Sequence, residues 1–171
     1  MSETPPNGDL TNGAGTPADA PPSLRVLAQY LKDLSFESPR APACFSDNTT
    51  APGIEVNVDV NARGVNPNQF EVELAISAKA SRENEPVFVV ETSYAGVFEI
   101  MNVPENQIEP ILLIECPRLL FPFARQIVAE TTTSGNFPPV MLDPIDFLSI
   151  YQRNQVARQQ QQGGDAAPAT A

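Results

Sequence analysis

The 171-residue chain has no histidine and no tryptophan, and it has only two cysteines and two lysines. The missing histidine removes Ser-His-Asp and Cys-His nucleophile pairs, imidazole general bases, and most zinc and iron sites. No Walker loop and no G-x-G-x-x-G is present, so no glycine-rich loop cradles a phosphate. Cys44 and Cys116 lack C-x-x-C spacing and read as free thiols of a cytosolic protein. Basic side chains are few: 10 Lys and Arg stand against 21 Asp and Glu, a net charge of −11. Nucleic acid and anionic membrane surfaces are bound through Lys and Arg clusters, so this balance argues against both. No apolar run approaches the roughly 18 residues of a spanning helix, and no apolar leader opens the chain. The expectation is a cytoplasmic protein that does not insert into a membrane. Asn48-Thr49-Thr50 matches a glycosylation acceptor but carries little weight without a leader. An enzyme made from what is left would rest on carboxylates, two lysines or a lone thiol.

Both ends lack the means to fold. Residues 1–22 hold five prolines, three glycines and one large apolar residue after the first methionine, Leu10. Residues 159–171 are glutamine, glycine and alanine with hardly any apolar bulk. Neither stretch buries enough surface to offset its chain entropy. One domain is expected over 23–158, between disordered tails at 1–22 and 159–171.

Four segments have the alternation of strands. In LRVLAQYLKDLSFE (24–37), Ala28, Tyr30, Lys32, Leu34 and Phe36 fall on one face, and Gln29, Leu31, Asp33, Ser35 and Glu37 on the other. IEVNVDVNA (54–62) directs Ile54, Val56, Val58 and Val60 inward, and FEVELAISAKA (70–80) does the same with Phe70, Val72, Leu74, Ile76 and Ala78. EPVFVVETSYAGVFEI (85–100) sets Phe88, Val90, Thr92 and Tyr94 against Val87, Val89, Glu91 and Ser93. Both of its faces begin apolar, and the second then acquires a carboxylate. The links at 63–68 and 81–86 are short and rich in turn formers, which makes the last three strands an antiparallel meander.

After Pro104 the pattern becomes helical, up to Glu115, where Cys116-Pro117 is expected to interrupt it. A second helix is expected over 119–133, stopped by Gly135 in a positive-φ conformation. A third starts in DPIDF, with Asp143 as cap, Pro144 at the first helical position and Asp146 in the first turn. The class is α+β: a four-stranded antiparallel sheet with helices packed on one face.

Two features exceed what a monomer needs. Leu119, Leu120, Phe121, Phe123, Ala124, Ile127 and Val128 cover about 200° of the second helix, where a helix on one sheet needs only a stripe of about 100°. The surplus calls for self-association. The outward sheet residues Asp33, Glu37, Glu55, Asp59, Glu71, Glu73 and Glu91 face Lys79 as the main strand base. Such a face suits a basic partner, or solubility alone, and Val89 beside Glu91 would be an apolar anchor ringed by charge.

LKDLSFESPRAP (31–42), CPRLLFPFAR (116–125) and SGNFPPVMLDPIDF (134–147) resemble, in order and spacing, the SecB family of bacterial protein-export chaperones, over roughly residues 24–155. The resemblance implies an ATP-independent holdase that needs no cofactor, binds unfolded precursor proteins and passes them to the SecA motor. It further implies a homotetramer, a dimer of dimers, with its sheets outermost. By position it assigns Asp33, Glu37, Val89 and Glu91 to SecA docking. Phe88, Val90, Thr92 and Tyr94 match positions linked to assembly and precursor handling, and Phe45, Phe121, Phe123, Phe137 and Phe147 contribute to an apolar precursor groove. Phe123 stands where relatives often have tyrosine, and the tryptophan that relatives can carry after the segment matching Cys44-Phe45 is missing. Two other functions stand beside this one: a SecB-like chaperone serving a toxin–antitoxin system, and a carboxylate enzyme or small-ligand binder. The last would need a pocket of converging carboxylates with perturbed pKa values.

Overall fold

A computed structural model describes residues 20–46 and 50–163, the side chains of 161–163 excepted. Residues 1–19 and 164–171, most of the two expected tails, lie outside the described residues, as do Asn48 and Thr49 of the glycosylation pattern. Strands β1 (Ser23–Glu37), β2 (Gly53–Asn66), β3 (Gln69–Arg82) and β4 (Glu85–Met101) form one antiparallel sheet in the order β1-β4-β3-β2. The meander of β2, β3 and β4 arises from its tight links. Asn68, Glu83 and Asn84 carry φ of 58°, 52° and 66°, and asparagine bears this left-handed conformation better than most residues. β1 then lies on the free side of β4, so β1 and β2 are the two edges.

The core forms on one face of the central strands. Val72, Leu74, Ile76, Ala78 and Ala80 of β3 and Phe88, Val90, Phe98 and Ile100 of β4 are all buried. Strict alternation over β3 supplies its set, because a strand pointing every second residue at a helix layer needs only that period.

β1 departs from the expected alternation. Its pairing with β4 skips between Val26 and Ala28 and again between Leu31 and Asp33. A bulge adds one residue to one strand and so reverses the facing of the residues beyond it; a second bulge restores it. Residues 28–31 are therefore turned over relative to the sequence expectation. Tyr30 lies opposite Ala95 on the outer face, and Leu31 lies opposite Tyr94 on the helix side. Beyond the second bulge Leu34 and Phe36 face the helices, and Asp33, Ser35 and Glu37 face away, as alternation predicts. Val87 is a second correction. The ladder skips between Ala80 and Ser81, and Val87, expected outward with Val89, is buried at that irregularity instead.

The helices also differ from expectation. Helix α1 (Glu105–Pro110), a π turn (Ile111–Glu115) and helix α2 (Cys116–Ser134) form one uninterrupted rod. Cys116-Pro117 does not break it, because the Cys116 N–H reaches back five residues to Ile111 O. The wider π spacing re-registers the hydrogen-bond ladder where the proline supplies no N–H. α2 crosses β4 at Gly96, where an added Cβ would lie 2.9 Å from Leu120 Cδ2. Only glycine admits that approach.

α2 ends at Ser134, and the positive φ expected at Gly135 (observed φ −76°) belongs to Asn136, at 65°. Gly135 serves another purpose: its missing Cβ leaves room for the Phe36 ring. The loop after it is pinned by buried Thr132, whose Oγ1 accepts from Val140 N at 3.0 Å and lies 3.0 Å from Val128 O. Helix α3 (Phe147–Gly163) begins four residues after Asp143, and Asp146 caps it instead, accepting from Ser149 N at 3.1 Å and Ser149 Oγ at 2.7 Å. Pro144 and Ile145 thus remain outside the helix. α3 packs on the π turn, and Arg158 donates to Glu109 at 2.8 Å. No described helix is long and apolar enough to cross a membrane.

Candidate functional site

The outer face of the sheet divides into two halves by charge. Glu71 is 4% exposed despite its place on that face. Its carboxylate accepts from Tyr30 OH and from Arg63 Nε, and Lys32 Nζ lies 3.6 Å away. The bonds from Arg63 and then Tyr30 hold its carboxyl down at about 2. Glu73 accepts from Lys32 and from Ser93, and those bonds lower its pKa as well. The same network raises the Lys32 ammonium, chiefly through Glu73, and the Tyr30 phenol, chiefly through Glu71. Arg25 pairs with Glu99 at 3.3 Å on the same half. The expectation that Lys79 is the main base of this face is thus corrected. Tyr30 and Lys32 arrive there through the bulges of β1, which alternation alone conceals.

The other half keeps its charge. Asp33, Ser35 and Glu37 of β1 lie opposite Ser93, Glu91 and Val89 of β4, so Asp33, Glu37, Val89 and Glu91 form one contiguous patch. None of these three carboxylates is in an ion pair among the described residues, and Glu91 meets only Ser77 Oγ, at 3.5 Å. A shallow cleft of about 350 Å3 runs through the patch, lined by Asp33, Asn57, Asp59, Ser77, Glu91 and Ser93. Among the described residues these acidic groups pair with no cation, although Lys79 lies opposite the half-buried Val89 on the same face, and together they make a surface that attracts cations from a distance and holds them by short contacts.

On the helix side, an aromatic cluster borders a cavity of about 620 Å3. Phe137 is its centre, with ring centroids 4.7 Å from Phe88, 5.3 Å from Phe45 and 6.3 Å from Phe36. These four rings come from two strands, the short 3-10 turn Ala43–Phe45 and the loop after α2. The cavity is lined by Phe45, Phe88 and Phe137, together with Ile54, Val87 and Cys44. Ile54 and Val56 of edge strand β2 continue the apolar surface and are exposed.

The five groove phenylalanines expected from sequence therefore separate. Phe45 and Phe137 line the cavity. Phe121 and Phe147 meet edge-on at 6.2 Å in the core, with Phe147 fully buried. Phe123 is exposed on α2 and stacks on Tyr94 at 5.8 Å. Phe36, outside the expected groove set, belongs to the cluster; its signal was its place on the apolar side of LSFE.

Val90 and Thr92 are buried under the helices, and Thr92 Oγ1 donates to Asp33 O at 3.3 Å. Tyr94 lies at the margin of a third surface. Leu31 and Leu34 of β1 and Leu119 and Phe123 of α2 are all more than 40% exposed around it. Among the described residues, this surplus apolar arc of α2 is left uncovered, beside a sheet edge with no ladder partner. Among the described residues, no three His, Cys, Asp or Glu side chains are grouped as a metal ion requires.

Comparisons with known proteins identify the family. Residues 17–160 match the family model described as preprotein translocase subunit SecB. The protein-export protein SecB of Rhodopseudomonas palustris strain TIE-1 is 51% identical over 155 residues, 90% of this chain and 98% of that one. The protein of the same name from Maricaulis maris is 53% identical over 153 residues, 87% of this chain and 88% of that one. Among solved structures, a SecB-like chaperone of Mycobacterium tuberculosis in complex with a ChAD peptide from an antitoxin superposes with a TM-score of 0.59. That match has 14% identity and covers 71% of this chain and 90% of the other, so it speaks for the fold. With half of its residues shared with export chaperones along nearly its whole length, the chain belongs to the SecB family of protein-export chaperones.

Proposed function

We propose that this chain is a cytoplasmic, ATP-independent holdase that captures unfolded precursor proteins on the aromatic cavity and hands them to SecA across the acidic patch. The observation that carries the reading is the separation of the two surfaces on opposite faces of one sheet. The aromatic cavity and the exposed Ile54 and Val56 lie on the helix side; Asp33, Glu37 and Glu91 lie outside. One molecule can then hold an apolar segment and a basic partner together. Capture by apolar contact competes with collapse of the precursor, and several weak contacts along one chain add by avidity. Self-association into a homotetramer, a dimer of dimers, supplies those repeated sites and covers Leu31, Leu34, Leu119 and Phe123. An enzymatic reading lacks support in the carboxylates: Glu71 and Glu73 are displaced downward and held by cations, the opposite of a general acid.

The test separates the faces. Glu91→Lys is expected to weaken binding to purified SecA by roughly tenfold or more, since one contact is replaced by a repulsion. Capture of a precursor diluted from denaturant should be unchanged. Phe137→Ala should show the reverse, and SecA affinity should fall with added salt. Equal losses of both activities in both variants would refute the division of labour.

A further inference from the structure

The two bulges of β1 cancel outside residues 28–31. Val26 and Leu34, on either side of them, lie opposite the helix-side residues Phe98 and Thr92. Only the segment between is turned over, and each bulge forfeits regular ladder bonding. Two sets of contacts answer for that cost. On the outer face Tyr30 OH donates to Glu71 and Lys32 Nζ to Glu73, each a link from β1 over β4 to β3. On the helix side Leu31 is brought opposite Tyr94, whose ring stacks on Phe123. Within one copy Leu31 remains 45% exposed, so its own burial does not account for the arrangement.

We propose that the Tyr30–Glu71 and Lys32–Glu73 contacts are a positioning device for self-association: from the acidic face they fix the reversed segment of β1, and so set Leu31 beside Tyr94 and Phe123, where a second copy of this chain covers all three. The place of the patch points to that occupant. It runs along an edge strand of 15 residues whose outer backbone groups have no ladder partner among the described residues, and a two-fold copy of the same edge matches it. Tyr30, Lys32, Glu71 and Glu73 touch none of the covered residues; they act through the facing of the strand. This rests on the self-association proposed above.

The experiment uses the full chain and two readouts. The nuclear Overhauser contact between the Leu31 methyls and the Tyr94 ring reports the facing, and light scattering over a dilution series reports association. In Tyr30→Phe/Lys32→Met the contact is expected to disappear and the dissociation constant of the assembly to rise at least roughly tenfold. Asp146→Ala, a destabilising change at the cap of α3 far from β1, should leave both unchanged, a result that general destabilisation would not give. An assembled wild type whose double variant keeps the contact and the association constant overturns the device alone. A wild type that is monomeric at every concentration overturns the self-association reading, and with it the purpose assigned to the device.

Discussion

Replacing Glu71 with glutamine gives the most direct measure of the network across the sheet. A carboxyl at about 2 instead of 4.5 is stabilised as the anion in the folded state. That displacement corresponds to roughly 3 kcal/mol of folding free energy at neutral pH. Glu71 itself is shielded, but its partners are not: the Arg63 side chain is 68% exposed and that of Lys32 39%. Solvent screens part of the interaction, leaving about 2 kcal/mol, in the range of a hydrogen bond to a charged group. The contribution is complete above the unfolded pKa near 4.5 and is lost as pH falls through the folded value near 2. Urea unfolding of wild type and Glu71→Gln, both at one protein concentration, should differ by that amount at pH 7. The gap should close between pH 4.5 and 2, while acid effects common to both proteins cancel. A gap that stays constant down to pH 2.5 would show that packing, not charge, was removed. No gap at pH 7 would refute the network as a source of stability.

Gly135→Ala places a Cβ 2.2 Å from Phe36 Cζ, and the ring must move; a loss of about 1–3 kcal/mol in urea unfolding is expected. Because Phe36 belongs to the aromatic cluster, precursor capture should weaken in the same variant. Asp146→Ala removes the cap of α3 and should cost about 1 kcal/mol, read as faster amide exchange at Ser149 and Ile150, with Asp143→Ala nearly silent. Burial pushes the Cys116 thiol up to about 12, so the folded protein should leave it unmodified by a maleimide at pH 8 and expose it only on unfolding.

Much of the sheet was legible because β3 alternates without interruption against a helix layer; β2 keeps the same period, but Ile54 and Val56, expected inward, are exposed at the sheet edge. β4 was legible for Phe88, Val90 and Glu91 and failed at Val87, where a shift in its pairing with β3 overrides the period. β1 failed in the same manner at Tyr30, Leu31 and Lys32. A bulge is fixed by the partner strand and by contacts such as Lys32 to Glu73, 41 residues away, and leaves no local mark. The helical rod hid for another reason: Cys116-Pro117 reads as a stop under α-helical spacing, and only the π turn makes it passable. In the site, Asp33 and Glu37 sat on the expected face because the second bulge restores the alternation before them. Phe45, Phe121, Phe123, Phe137 and Phe147 look alike in sequence, yet which of them borders a cavity and which is core depends on the path of the loop from 135 to 146.

The aromatic cavity has a consequence for the chaperone's own synthesis. Its rings are drawn from Phe36, Phe45, Phe88 and Phe137, so the last wall is not made until most of the chain has left the ribosome. A partly synthesised copy carries the same apolar segments as a client but no completed cavity. Under the proposed function, each new chain would present itself, for most of its translation, as a client to the finished copies around it, and would compete for clients only after Phe137 closes the cluster.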